Sequence, residues 1–113
     1  MIGAILGDII GSPYEFDRGC KSKEFPLFSR QSTYTDDTVM TLAVGLTFLD
    51  APSSASDDWI LRTLADHMRK FGKMYPNAGY GGRFRQWLLN PECKAYNSFG
   101  NGSAMRVSSV AWL

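Results

Sequence analysis

The chain has little of several things. Its 113 residues include only two cysteines, Cys20 and Cys93, and a single histidine, His67. Two cysteines far apart in sequence form neither a disulfide framework nor a metal-ligand spacing, so free thiols in a reducing compartment are expected. A histidine without a Cys or second His at ligand spacing is expected to pack or face solvent. Net charge is nearly absent: 12 basic against 11 acidic residues leave +1, which removes any electrostatic case for nucleic acid or a membrane surface as partner. Long hydrophobic runs are missing too. The N-terminal MIGAILGDIIG is apolar, but it is short, carries Asp8 and lacks a basic flank, so it reads as neither a membrane span nor a signal segment. A cytoplasmic location is therefore expected. No stretch alternates with period two between turn signals, which excludes a convincing strand, and no internal repeat or low-complexity tract occurs.

What remains is an ordinary globular composition, 44% hydrophobic and 20% charged, sufficient for at most one domain with a modest core. The patterning predicts an all-α chain. Residues 2 to 10 read as a short buried helix whose Gly3 and Gly7 bring a neighbour close, ended by Gly11, Ser12 and Pro13. A long surface loop follows to Thr33, of a length that is often functional. From Asp36 to Leu49, Val39, Leu42, Ala43, Leu46 and Leu49 recur at helical spacing. Beyond the linker APSSAS, Ser56 caps a third helix with Asp57 and Asp58 in its first turn and a stripe of Ile60, Leu64, Met68 and Phe71, ending near Pro76. The glycine-rich NAGYGGRF leads into a short helix, RFRQWLL, stopped by Asn90 and Pro91. The last segment, NSFGNGSAMRVSSVAWL, opens with glycines and turns helical.

Three segments have compositions that packing alone does not demand. In YTDDTVMT, residues 34 to 41, Thr35 can cap a helix with Asp36 and Asp37 in the first turn, where the helix dipole favours negative charge, and Tyr34 can staple onto Val39. The same hydroxyl and two carboxylates can equally converge on a hard divalent cation, and the two readings are compatible. In GDIIGSPYEF, Glu15 follows a helix break, where a carboxylate faces either a cleft or bulk water. In GNGSAMR, residues 100 to 106, small residues before a helix start can let backbone amides approach a phosphate. It is not a Walker loop, and an N-cap by Asn101 or Ser103 explains it as well. Together these offer a cation site, a cleft acid and a phosphate cradle, the parts of a metal-assisted hydrolase acting on a phosphate-bearing substrate.

In order, GDIIGSPYEF, YTDDTVMT, GYGGRFRQWL and YNSFGNGSAMRVSSVAW closely resemble the N-terminal part of the ADP-ribosylglycohydrolase family, from Gly3 to the last residue. The resemblance implies an all-α bundle with a binuclear Mg²⁺ or Mn²⁺ site in a central cleft, and hydrolysis of the bond joining ADP-ribose to a protein side chain or related leaving group. By motif position it makes Thr35, Asp36 and Asp37 the N-terminal half of the metal site, and Glu15 the acid beside the cleft. It makes Gly100, Asn101, Gly102 and Ser103 the loop receiving the diphosphate, and Tyr80 and Gly81 a substrate-side loop. In that scheme Asp36 and Asp37 serve catalysis by holding the cations, which stand in for one acid of the usual two-carboxylate glycosidase.

The sequence also departs from the family. The second half of the metal site, an Asp-x-Asp-Ser/Thr motif, does not occur after Asp37; the nearest acidic pair, Asp57 and Asp58, is adjacent and sits at an N-cap. RVSSVAWL has no Gly, Asn or Pro stop. These features lead us to expect a partial domain over residues 1–113 with apolar faces open to association: a truncated gene product, a split protein whose fold a second chain completes, or a piece cut at an arbitrary boundary. Weak or absent metal affinity is expected for the isolated chain, and its own activity is in doubt. A non-catalytic ADP-ribose-binding or structural fragment is the alternative. In a third reading, a phosphate-ester or nucleotide hydrolase, Arg106 is the one motif cation, expected instead to anchor its loop.

Overall fold

The computed structural model describes residues 1–16 and 22–112. The expected free thiol of Cys20 lies outside these residues, whereas Cys93 is free and half-buried. Among the described residues five α-helices follow in order: α1 (Ile2–Gly11), α2 (Asp36–Asp50), α3 (Asp57–Met74), α4 (Gly82–Leu89) and the single turn α5 (Gly102–Met105). Short 3-10 segments follow α1 (Ser12–Tyr14) and α5 (Val107–Trp112). No strand occurs among the described residues, so the fold is all-α as expected. None of the described helices is long and apolar enough to cross a membrane.

Local chemistry sets the helix starts. Thr35 is extended and its hydroxyl accepts the Asp37 N–H, with Asp36 and Asp37 in the first turn of α2. Ser56 caps α3 in the same way, accepting the Trp59 N–H, with Asp57 and Asp58 behind it. α4 starts from Gly81 at its N-cap position and ends where the Asn90 N–H donates back to the Gln86 carbonyl. The final segment turns helical as expected, but only as one α turn followed by 3-10 structure. Asn101 holds the N-cap position of α5 without a side-chain bond, so neither it nor Ser103 supplies the expected cap.

α2 is the central element. It packs on α1, on α3 and on the C-terminal 3-10 segment, and burial accordingly runs round it through Thr38, Val39, Met40, Thr41, Ala43, Val44 and Thr47. The expected single stripe is therefore incomplete: Leu49, at its C-terminal end, is 78% exposed. α3 adds buried Met68 and partly buried Leu64 and Phe71, and α4 adds Leu88. The α3–α4 contact depends on Gly72, where a Cβ would stand 2.9 Å from Leu88 Cδ1. Tyr34 meets Tyr75 edge to face.

The expectation of a buried α1 fails. No α1 residue is buried, Ile2 is 75% exposed, and a Cβ built on Gly3 or Gly7 would meet nothing within 4 Å. Ala4, Ile5, Asp8 and Ile9 are the half-buried side, while Ile2, Gly3, Leu6 and Gly7 form the open one. α1 is held to α2 by the polar grip of Asp8 rather than by a glycine seam. The radius of gyration, 15.3 Å, exceeds the about 13 Å of a compact domain of this length, in keeping with the many exposed large apolar side chains.

Candidate active-site cleft

The site is built where α1 meets the start of α2. Asp8 reaches across and accepts four hydrogen bonds there. Its Oδ1 takes the Thr35 hydroxyl at 2.6 Å; its Oδ2 takes the Thr35 N–H at 2.8 Å, the Thr38 N–H at 3.2 Å and the Thr38 hydroxyl at 2.6 Å. Thr35 Oγ1 in turn accepts the Asp37 N–H at 3.3 Å. Two amides left orphaned by the helix start, those of Asp37 and Thr38, are thus satisfied by side chains. The backbone that carries Asp36 and Asp37 is held from outside its own helix.

Both of those carboxyls are pushed above the ordinary carboxylate value. For Asp36 the main cause is burial, followed by repulsion from Asp37, with Glu15 adding a little; its own backbone amide and Arg106 oppose the rise. For Asp37 burial again leads, then Asp8, with Arg106 opposing. The pair is short of positive charge, and Thr35 Oγ1 with the two carboxylates forms a set of hard oxygen donors on consecutive residues. Such a set suits one side of a Mg²⁺ or Mn²⁺ shell, which takes about six oxygens. Among the described residues no group of three His, Cys, Asp or Glu is arranged to hold a metal ion, so these residues fit part of a site rather than a closed cage.

The acids face an open cleft of about 1740 Å³, wider than the roughly 300–1,000 Å³ of most small-molecule pockets. Glu15, Asp36, Asp37, Gly81, Gly100, Asn101, Gly102 and Ser103 all line it, although they come from four separate stretches of chain. Thr35 and Tyr80 are not among its lining residues. Thr35 stands behind the two acids in the grip of Asp8. Tyr80 donates its hydroxyl to the Tyr75 carbonyl at 3.0 Å and sets its ring edge-on to Phe84. Burial first, then Asp36 and Tyr34, push its phenol up to about 12. Just before it, Gly79 has φ +94°, and a Cβ there would lie 3.9 Å from Asp36 Oδ1. That left-handed residue turns the chain beside the acids.

Arg106 closes the opposite side. Its guanidinium lies over the Phe84 ring at 4.7 Å and approaches Met68 Sδ at 3.8 Å, while its Nε is buried without a hydrogen-bond partner. Burial lowers its pKa, opposed by Asp36, Tyr96 and Asp37. It also sits under the glycine loop: a Cβ on Gly102 would stand 2.7 Å from Arg106 Nη2. Asp8, absent from the sequence reading of the site, belongs to it, and Phe99 lies in the adjoining recess beside it. Asp8, an acid interrupting an apolar run, carried a signal in that interruption. Phe99 did not, yet it is fully exposed at 101% beside Gly100.

Comparison with known proteins gives a consistent result. The family model described as ADP-ribosylglycohydrolase matches residues 1–113. The mouse protein named ADP-ribosylhydrolase ARH3 is 30% identical over 98% of this chain and 36% of its own length. Human ARH3 is 31% identical over 98% of the chain and 37% of its own length, and the Xenopus tropicalis protein 26% identical over the same shares. The chain thus spans little more than a third of the curated relatives it matches. No solved structure gives a significant match.

Proposed function

Because the chain belongs to the ADP-ribosylglycohydrolase family, we propose that it contributes one side of the active site of an ADP-ribosyl hydrolase. The substrate class is an ADP-ribosylated protein or a related ADP-ribose conjugate, cleaved at the glycosidic bond. The observation that carries this is the convergence of Asp36 and Asp37 with Glu15 and the Gly100–Ser103 loop on one cleft.

In this reading Thr35, Asp36 and Asp37 hold Mg²⁺ or Mn²⁺ from one side, and further ligands complete the binuclear site from beyond these three donors. A cation bound there supplies charge that polarises a water or the ribose hydroxyls. Glu15 has the exposure to accept or deliver a proton at the cleft edge. Gly100 to Ser103 offer backbone close to the diphosphate, with Arg106 beneath supplying positive charge. Phe99 presents a bare ring on which the adenine can stack. Tyr80 and Gly81 shape the substrate side.

The test measures ADP-ribose binding and release of ADP-ribose from a modified protein, with and without Mg²⁺ or Mn²⁺. Cation-dependent release that Asp36→Asn abolishes supports a hydrolase. Binding without release favours the non-catalytic ADP-ribose-binding module, and the absence of both removes the proposal.

A further inference from the structure

The hydrogen bonds around Asp8 turn one hydroxyl hydrogen toward it. The Asp8 carboxyl accepts from every donor around it, and in the 2.6 Å contact between Thr35 Oγ1 and Asp8 Oδ1 the threonine donates. The same Oγ1 accepts the Asp37 N–H at 3.3 Å. A hydroxyl has one hydrogen and two lone pairs, so the hydrogen is committed, one lone pair is occupied and one is left. A divalent cation is ligated by lone pairs and repelled by a hydroxyl hydrogen pointed at it. We propose that Asp8 is a positioning residue that draws the Thr35 hydroxyl hydrogen to itself and so leaves Thr35 Oγ1 presenting a lone pair to a divalent cation beside Asp36 and Asp37.

The second carboxylate oxygen makes this specific. Asp8 Oδ2 gathers the Thr35 N–H, the Thr38 N–H and the Thr38 hydroxyl, so the carboxylate cannot swing without breaking three bonds. Oδ1 is thereby aimed at the Thr35 hydroxyl alone. The inference rests on the reading of Thr35, Asp36 and Asp37 as cation ligands, and goes beyond it by assigning a task to a residue on another helix. A purely structural Asp8, tying α1 to α2, makes a different prediction.

Asp8→Asn separates the two. Three donors meet at the Oδ2 position, so the amide oxygen of the asparagine belongs there and its NH₂ group faces Thr35 Oγ1. Two hydrogens then oppose each other, and Thr35 must turn its own toward the cation. Amide NMR spectra over a series of Mn²⁺ concentrations read the result through paramagnetic broadening of Asp36 and Asp37, which detects even weak binding. Asp8→Asn is expected to raise the half-broadening concentration by about tenfold or more. Thr38→Val, which removes one Asp8 bond without touching Thr35, should leave it nearly unchanged, and in a Thr35→Ala background Asp8→Asn should have no further effect. Absence of broadening in the wild-type chain overturns the cation reading and this inference with it. Broadening in the wild type that Asp8→Asn leaves unchanged, or that Thr38→Val weakens equally, overturns the positioning role alone. Should Asp8→Asn not fold, neutron diffraction of the wild-type chain decides: deuterium on the Asp8 side of Thr35 Oγ1 supports the proposal, and deuterium on the Asp36 side overturns it.

Discussion

His67 Nδ1 lies 3.0 Å from Thr47 Oγ1, joining α3 to the most buried part of α2. Thr47 is fully buried, and its hydroxyl also lies 2.9 Å from the Ala43 carbonyl oxygen. The hydroxyl therefore bridges the Ala43 carbonyl and the imidazole, and which of Thr47 Oγ1 and His67 Nδ1 donates depends on the imidazole tautomer. The other ring nitrogen is turned to Asp50 at 3.5 Å. Thr47→Val keeps the volume but leaves His67 Nδ1 without its partner. We expect a loss of about 1–3 kcal/mol in chemical denaturation. Because one bond is shared, Thr47→Val combined with His67→Phe should cost less than the two single changes added.

Gly72→Ala tests the seam between α3 and α4. Alanine would gain about 1 kcal/mol in helix propensity. Against this, its Cβ would lie 2.9, 3.0 and 3.3 Å from Leu88 Cδ1, Cδ2 and Cγ, and Leu88 is only 2% exposed. Three atoms of one packed side chain cannot all move aside, so overpacking, about 1–3 kcal/mol, should outweigh propensity. A lowered melting temperature is the expected outcome, and the loss should shrink in a Leu88→Ala background, where the same methyl finds room.

Legibility followed the range of the physics. The starts of α2 and α3 could be read because Thr35 and Ser56 act on amides two or three residues away. The packing could not be read in the same way. α2 is contacted on several sides, so its burial does not follow one stripe, and the apolar α1 shows its glycine side to solvent. For the site, Glu15, Asp36, Asp37, Gly81 and Gly100 to Ser103 were recognisable by motif, whereas Asp8, which also lines the cleft, showed only as an acid in an apolar run, because its partners lie 27 and 30 residues further on. Phe99 illustrates the same limit, since nothing in NSFGNG distinguishes a bare ring from one folded onto a helix.

The two neighbouring acids should weaken the fold they sit in. A carboxyl whose folded pKa is raised binds its proton more tightly in the native state than in the unfolded chain. Its contribution to stability is then present below the ordinary value of 3.8 and is lost as pH rises above that through the folded pKa. Asp36→Asn and Asp37→Asn should therefore stabilise the metal-free chain at neutral pH, by no more than about 1 kcal/mol because both groups reach solvent. The gain should fade toward pH 4. Thermal melts across pH read it directly, and a variant less stable than wild type at pH 7 would show that the carboxylates are already well compensated.

Phe99 separates folding from binding. A fully exposed ring covers no apolar surface, so Phe99→Ala should leave the melting temperature unchanged. Its place beside Gly100 and Tyr96, at the rim shared with Gly81 and Gly82, puts the ring within reach of a ligand whose diphosphate lies on the glycine loop. Base stacking on an aromatic ring is worth about 1–3 kcal/mol, so ADP-ribose affinity should fall by roughly tenfold or more. Ribose 5-phosphate, which has no base, should bind the variant and the wild type alike. Calorimetry with both ligands makes the comparison: equal losses for the two would mean that the substitution disturbed the loop itself, and no loss for ADP-ribose would place the adenine elsewhere in the cleft.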